Sequence, residues 1–269
     1  MRLARVELVG DADLSMFPTV DVVHGTEAVF RTDTWRDERL DFWAFDREVD
    51  AIVDGGHRFS VDGMIAREVL TRAQRRIDRR NAASATPWFD RVLRAHRALH
   101  DVAKPLVRAD LDHALDAWQW TLRLDADASA AVQLATLLHD IERLASEADV
   151  RIEHRALDYQ AFKDAHAREG ARIARGLLAD VDPAITDDVA RLVELHERKS
   201  DDAALRTIND ADALSFFSLN SAGYLAYFGT EQTQRKVSYT LARMSGRARD
   251  ELPLLRMPAG IRSMIERWH

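Results

Sequence analysis

The chain has 269 residues, 46% of them hydrophobic and 31% charged, and carries a formal net charge of -7. This composition excludes a disordered or fibrous protein, and the acidic balance disfavours broad binding to a nucleic-acid backbone. There are no cysteines, so disulfides, thiolate ligands and cysteine nucleophiles are excluded, and any bound metal must be held by His, Asp and Glu.

The first residues predict neither a signal peptide nor a membrane anchor. Arg5 and Glu7 interrupt the apolar positions there, and no stretch of the sequence approaches the roughly 18 consecutive apolar residues of a membrane-spanning helix. We therefore expect a soluble cytoplasmic protein that makes no membrane contact.

Residues 1–82 predict a small α+β region. A short β segment at 2–9 precedes a hairpin formed by Thr19–Val23 and Ala28–Thr32, and two helical patterns follow at about 40–53 and 61–81. The small, polar run at 82–87 ends in proline and marks the boundary to a second domain.

Residues 83–269 predict an all-α domain, which makes the whole chain mainly α. Thr86 and Pro87 are typical of an N-cap followed by a first helical residue, and Asp110 predicts a second cap. The further predicted helices span 111–124, 128–146, 158–179, 186–198 and 203–228, followed by a polar helix that contains Arg235 and Lys236.

The strongest chemical signal is an apolar run that ends in Leu138 and is followed by His139 and Asp140. Burying an imidazole and a carboxylate without a cation or partner costs several kcal/mol, so the pair indicates a divalent metal. Consecutive residues of a helix differ in direction by about 100°. We therefore expect the two side chains to flank a point rather than both face it, which two adjacent ions bridged by the aspartate would accommodate.

Three segments together resemble the H…HD…D signature of the HD-domain superfamily, a group of helical metal-dependent phosphohydrolases: His113, Leu138-His139-Asp140 and Ala211-Asp212-Ala213-Leu214. The resemblance covers about residues 90–245, including the order of the helices. It implies a helical HD-domain bundle that contains a metal site.

Two further histidines are similar to the extra ligands of the binuclear HD subset, which includes HD-GYP cyclic-dinucleotide phosphodiesterases and mixed-valent di-iron oxygenases. They are His166, in a His-x-x-x-Gly-Ala context, and His196, near a helix end. The resemblance implies one site made by His113, His139, Asp140 and Asp212, and another made by His166, His196 and shared Asp140. The implied cofactor is one or two divalent ions, with Fe, Mn, Mg, Co, Ni and Zn all open.

The sequence departs from these relatives or leaves alternatives at several positions. It contains no Gly-Tyr-Pro tripeptide, which argues against the cyclic-di-GMP group. His100-Asp101 is a second HD dipeptide, but arginines stand where an upstream histidine is required, so we interpret it as an exposed helix end outside the site. Asp210 competes with Asp212, and His154 in a loop competes with His166.

His196 is the weakest member of the series. Glu194, Glu197 and Lys199 surround it and indicate a partly exposed segment. If His166 or His196 is not a ligand, a mononuclear site of four ligands remains.

The same pattern suggests catalytic and substrate-binding roles. Glu142 is placed to take or relay a proton, next to the metal-bridging Asp140. The cations that could hold an anionic small-molecule substrate are Arg143, whose position is fixed by the motif, and Lys163, Lys199, Arg235 and Lys236.

Three functions compete at this point. The leading hypothesis is a phosphohydrolase acting on a small phosphorylated metabolite or nucleotide through a metal-activated water. The alternative is a mixed-valent di-iron oxygenase that cleaves a C–C or C–P bond, because ligand identity does not separate the two. The third is a catalytically inactive HD module that binds a ligand or partner, in which residues 1–82 regulate or dimerise.

Overall fold

The computed structural model describes residues 80–255 and 257–268, together with four short strands in the first part of the chain. The chain divides into two compact units, Met1–Arg79 and Arg80–His269, a few residues from the boundary predicted at 82/83. The helices predicted at about 40–53 and 61–81 lie outside the described residues.

The strands of the first unit form one sheet in the order β2-β3-β1-β4. Their bounds are Val6–Leu8 for β1, Val20–Val23 for β2, Glu27–Phe30 for β3 and Phe59–Ser60 for β4. β2 and β3 pair antiparallel, Val20 with Phe30 and Val23 with Glu27, at the position of the predicted hairpin. β1 runs parallel to both β3 and β4.

Every regular element described in the second unit is helical, which confirms the prediction of a mainly α chain. The α-helices are α1 (Pro87–Ala98), α2 (Pro105–Leu124), α3 (Ala130–Leu138), α4 (Arg143–Ser146), α5 (Tyr159–Leu177), α6 (Pro183–Leu195), α7 (Ala203–Ser215), α8 (Ser221–Arg243), α9 (Gly246–Glu251) and α10 (Ala259–Glu266). Short 3-10 turns span Glu153–Arg155 and Leu252–Leu254, and a π-helical turn spans Phe216–Asn220.

Helix starts follow local chemistry in most cases. The hydroxyl of Thr86 accepts the Phe89 N–H at 3.3 Å, with Pro87 at the first position, as predicted. The predicted cap at Asp110 is wrong, because α2 already begins at Pro105. Asp110 lies inside that helix, where the guanidinium of Arg151 binds its two oxygens at 2.6 and 3.0 Å.

Two helices that the periodicity predicts as continuous are interrupted. The segment at 128–146 ends as a regular helix at Leu138 and resumes only as the short α4. The segment at 203–228 contains the π-helical turn, and α8 is kinked at Gly229, where φ is 75°, at the predicted start of the polar helix. Helix α6 starts earlier than predicted because Asp182 accepts the Ala184 N–H at 2.8 Å, and it ends at Leu195.

The core of the second unit lies between α2, α3, α6 and α7. Helix α2 packs against α3 and α7, α3 packs against α6, and α6 packs against α5. Leu115, Leu134 and Leu138 are completely inaccessible to solvent, and each such leucine contributes about 1.5–3 kcal/mol through burial. The predicted ligands lie on α2, α5 and α7 or directly after the ends of α3 and α6, so core packing fixes where those side chains lie.

A second apolar cluster joins α7 to the C-terminal helices. Phe217, Val237, Leu241 and Ile261 are buried in it, and it holds α8 against the rest of the bundle. In the part of the chain that the structure describes, no helix combines the length and the apolar character needed to cross a bilayer.

Candidate metal centre

The His139-Asp140 pair lies where α3 ends, not within a helix. His139 follows the last helical residue, and its Nδ1 donates to the carbonyl of Thr136 at 2.7 Å. Its Nε2 lies 3.7 Å from Asp140 Oδ2. His139 keeps helical backbone angles although the regular helix ends at Leu138, so the prediction that the two side chains flank a point still stands.

Four histidines share one arrangement, in which Nδ1 is held by an outer partner and Nε2 faces a common interior. The Nδ1 partners are Ser215 Oγ for His113 at 2.9 Å, the Thr136 carbonyl for His139, Glu142 Oε2 for His166 at 2.6 Å and the Val193 carbonyl for His196 at 2.6 Å. Carbonyls and carboxylates can only accept, so Nδ1 of His139, His166 and His196 donates, and Nε2 is the ring nitrogen that faces the interior. Metal-binding histidines are held in this way.

Three carboxylates meet these Nε2 atoms. Asp212 Oδ1 lies 3.1 Å from His113 Nε2 and 3.6 Å from His139 Nε2. Asp140 Oδ1 lies 3.0 Å from His166 Nε2, and Glu197 Oε1 lies 3.5 Å from His196 Nε2.

The structure contains two groups whose donor atoms lie within 4.8 Å of one another and could hold a metal ion. The first is His113, His139 and Asp140, and the second is Asp140, His166 and Glu197. Asp140 belongs to both, in agreement with the bridging position that the HD resemblance implies.

Two buried nitrogens indicate that the donor set fits a cation. The residues His139 and His196 are each 1% exposed, and the Nε2 of each has no hydrogen-bond partner among the described residues. Leaving a buried polar atom unpaired costs about 1–3 kcal/mol. A cation bound between these nitrogens and the neighbouring carboxylates would satisfy both atoms.

The three carboxylates are held ionised. Burial alone raises the pKa of Asp140, but the Arg143 guanidinium and His139 bring it well below its usual range. Burial likewise opposes ionisation of Asp212 and Glu197, yet the adjacent His113 and His139 lower the pKa of Asp212, and Lys163 lowers that of Glu197. The interior therefore concentrates negative charge around the imidazole Nε2 atoms.

The acidity of His139 is linked to the same carboxylates. Burial lowers its pKa, but Asp140 and Asp212 outweigh burial and raise the pKa to about 9. A cation bound at this nitrogen would replace a proton.

Glu142 lies behind His166 rather than beside the donor groups. Its carboxylate accepts from His166 Nδ1 and from Ser146 Oγ at 2.9 Å. This contact orients the imidazole ring, whereas the sequence suggested a proton relay. Burial raises the pKa of Glu142, but the hydrogen bonds from His166 and Ser146 outweigh burial. The net pKa lies below the usual value, so the carboxylate stays charged.

Arg143 is buried and engaged by three carboxylates. It lies 2.9 Å from Asp140, 2.8 Å from Glu147 and 3.4 Å from Glu153. The motif therefore fixes its position, as predicted, but its contacts are to the carboxylates of the protein.

The sequence does not select two residues of the site, Glu197 and Arg243. The acidic neighbours of His196 predict exposure, yet Glu197 is 5% exposed and belongs to the second donor group, and His196 is buried. Lys163, predicted only as a substrate-binding cation, precedes His166 by three residues, a spacing that places both on one helical face. Arg243 lies at the end of α8, and no local signal connects it to the motif.

Arg243 joins the two halves of the centre. Its guanidinium lies 3.1 Å from Glu197 Oε2 and 3.3 Å from Asp212 Oδ2. The same guanidinium donates to the side chain of Asn209 at 3.3 Å. The Arg243 guanidinium thus restrains both Glu197, in the second donor group, and Asp212, beside the first.

The competing candidates lie elsewhere. Asp210 accepts the backbone N–H of Ser245 at 2.8 Å, whereas Asp212 lies beside His113. His154 is exposed, with its ring 5.2 Å from that of Phe228.

The second HD dipeptide also lies outside both donor groups. The interpretation of His100 as an exposed residue is wrong, because it is 8% exposed and its ring packs 4.5 Å from that of His96. His100 Nδ1 bonds to the carbonyl of His96 at 2.8 Å.

A family model described as a domain of unknown function, DUF4202, matches residues 83–265. The chain belongs to the DUF4202 family. The match begins where the sequence predicts the second domain, and it includes all the predicted ligands and Glu197. Neither the curated proteins nor the solved structures contain a match to the chain.

A pocket of the DUF4202 domain opens beside the two donor groups. Its lining combines His113, Asp140, Asp212 and Glu197 with the cations Arg143, Arg151, Lys163 and Lys236 and the aromatic side chains Phe216, Tyr224 and Phe228. Among the cations predicted for substrate binding, Arg143, Lys163 and Lys236 therefore line it.

Lys199 and Arg235 do not lie in that lining. Both are exposed, and Arg235 forms a surface ion pair with Glu231 at 2.6 Å. Within the DUF4202 domain, the lining thus combines potential metal ligands with cationic and aromatic side chains and with two further carboxylates, Asp110 and Glu153.

Proposed function

We propose that the chain is a metal-dependent phosphohydrolase of the HD-domain type, acting on a small phosphorylated metabolite or nucleotide. The observation that carries this proposal is the convergence of four imidazole Nε2 atoms and three ionised carboxylates beside a pocket whose lining also includes four cations. The HD resemblance supports it, because the six residues it selects contact one another or share donor groups.

The side chains around the two donor groups have different roles in the proposed site. Asp140 is common to both and would help to hold a cation at either group. Glu142, Thr136 and Val193 hold the imidazoles in the orientation that turns Nε2 toward the donor groups. Bound divalent cations would supply a hydroxide near neutral pH and polarise a phosphoryl oxygen.

The pocket supplies recognition of the substrate. Lys163 and Lys236 place positive charge beside the donor groups, where it stabilises a phosphoryl group and the charge that develops on its oxygens. Phe216, Tyr224 and Phe228 offer apolar surface to the remainder of the substrate.

Phosphate release from a phosphoester panel tests the proposal. Protein freed of metal and reloaded with Mn²⁺, Mg²⁺, Co²⁺ or Fe²⁺ should hydrolyse at least one member, and His139→Gln combined with Asp140→Asn should abolish that hydrolysis. Glu194→Gln, an exposed site nearby, is the matched control and should retain it.

Two outcomes would count against hydrolysis. A metal-loaded wild-type protein that is inert on the whole panel contradicts the proposal. Consumption of O₂ by anaerobically purified protein holding two irons would assign the same donor set to the oxygenase alternative instead.

A further inference from the structure

Glu197 faces two kinds of partner at once. Its Oε1 lies 2.6 Å from the ammonium Nζ of Lys163 and 3.5 Å from His196 Nε2. The same carboxylate groups with Asp140 and His166 within the span of a metal site. One oxygen therefore faces both an ammonium and the donor group that could bind a divalent cation.

Lys163, the cation paired with Glu197 Oε1, is itself almost completely buried. Its side chain is 2% exposed, and Nζ also lies 3.8 Å from Glu153. It lines the pocket beside the donor groups. An anion in the pocket and the Glu197 carboxylate can therefore both form an ion pair with the same ammonium group.

Glu197 does not depend on Lys163 alone. Arg243 holds its other oxygen at 3.1 Å, and the hydroxyl of Tyr239 donates to the backbone carbonyl of Glu197 at 3.2 Å. The carboxylate therefore stays in place if Lys163 turns to another partner.

We propose that Glu197 is a metal ligand of the second donor group and shares its carboxylate with Lys163, so that a cation at this group frees Lys163 to bind an anion in the pocket. This rests on the proposed function only in requiring that the donor groups bind divalent cations. Glu197 then acts as the element that couples the metal content of the protein to its affinity for the anionic substrate.

The coupling follows from charge. A divalent cation at Glu197, Asp140 and His166 takes up part of the carboxylate charge and weakens its attraction for the ammonium. The ammonium is then available to a phosphate in the pocket. Coupling between two binding sites is reciprocal, so phosphate must strengthen cation binding by the same factor.

Mn²⁺ binding measured by calorimetry and by metal content after dialysis tests the ligand role. Glu197→Gln keeps the size of the side chain and should lose one of two bound ions or weaken its binding at least tenfold. Glu194→Gln, nearby and exposed, should leave both ions unchanged.

A double-variant cycle separates sharing from simple proximity of charge. Lys163→Met should tighten Mn²⁺ binding several-fold in the wild-type background, because the ammonium no longer competes for Glu197. In the Glu197→Gln background the same change should have little effect. Lys104→Met, which removes only a surface pair with Asp149, is the control, and Lys163→Gln repeats the test if Lys163→Met unfolds.

Inorganic phosphate is the probe for the pocket. Saturating Mn²⁺ should raise phosphate affinity about 5- to 150-fold in the wild-type protein, the usual range of coupling between sites. That gain should shrink in Lys163→Met and persist in Lys104→Met.

The outcomes distinguish this inference from the function on which it rests. A wild-type protein that binds no divalent cation removes both. Binding of two ions that is unaffected by Glu197→Gln overturns the ligand role alone. An effect of Lys163→Met that is equal in both backgrounds, or a phosphate gain that survives Lys163→Met, overturns the sharing of Glu197.

Discussion

Asp210 and Asp212 stand two residues apart on α7, but their contacts are different. Asp212 lies against His113 and Arg243, whereas Asp210 accepts the Ser245 N–H that begins α9. Asp212→Asn should weaken metal binding at least tenfold because it removes a charge from the donor set. Asp210→Asn keeps an acceptor for Ser245, so its free energy of unfolding should change by about 1 kcal/mol or less.

Metal content and urea unfolding of the two variants provide the check, each variant serving as the control for the other. Loss of metal in Asp210→Asn with full retention in Asp212→Asn would reverse the assignment. Equal effects of the two substitutions would argue that neither carboxylate is specific to the site.

His96 is a buried histidine outside the metal centre. It is 1% exposed on α1, and neither ring nitrogen has a hydrogen-bond partner among the described residues. Burial lowers the pKa of His96 well below its ordinary value, and His100 and Arg97 lower it further. The folded state therefore keeps this imidazole neutral.

The sign of the resulting pH dependence follows from linkage. The unfolded chain protonates this histidine below about pH 6.5 while the folded chain does not, so stability is complete above that pH and is lost as pH falls. His96→Leu should flatten the loss between about pH 8 and about pH 5 in urea unfolding. An unchanged slope in His96→Leu, compared with exposed His154→Gln, would rule out this source.

At the scale of elements, α5 packs closely against α6 at Gly170, where the space admits a methyl group but not a larger side chain. A Cβ at this position would lie 3.4 Å from Val193 Cγ1 and 3.6 Å from the His139 carbonyl. Gly170→Ala should be tolerated, because these are ordinary contacts. Gly170→Leu should destabilise the fold by about 1–3 kcal/mol through overpacking and displace His166, one turn earlier on the same face.

Gly176 supplies the control on the same helix, since a Cβ there meets no described atom within 4 Å. Thermal unfolding and metal content of Gly170→Leu and Gly176→Leu should therefore differ. If both variants retain stability and metal, close packing at Gly170 does not position the centre.

The existence of the helices could be predicted from local patterns, but their ends often could not. Thr86 and Pro87 predict the start of α1 correctly, because capping depends on residues close together in the chain. Asp110 has the same chemistry as a cap, but Arg151 binds it from a distant part of the chain. The helix break before His139 is equally invisible to periodicity, since apolar residues continue up to that point.

At the scale of the whole molecule, some site residues can be predicted from the sequence around them, and others reach the site only through tertiary packing. His139, Asp140 and Asp212 lie in short recognisable segments, so the sequence could select them. Arg243 reaches the centre only because the apolar cluster of the C-terminal helices holds α8 in place. Glu197 could not be predicted as a site residue for a different reason. A segment rich in charged residues is typical of a solvated surface, and only the folded structure shows that Lys163 and Arg243 pair with Glu197.

The central claim is that the two donor groups bind divalent metal, and the metal content of the purified protein tests it most directly. The 269-residue protein, exposed to Mn²⁺, Fe²⁺, Co²⁺ or Zn²⁺, dialysed and measured by elemental analysis, should hold two ions per chain. His139→Gln combined with Asp140→Asn should hold none, while Glu194→Gln keeps both. A folded wild-type protein that retains no ion, or a double variant that retains as much as wild type, would contradict the account.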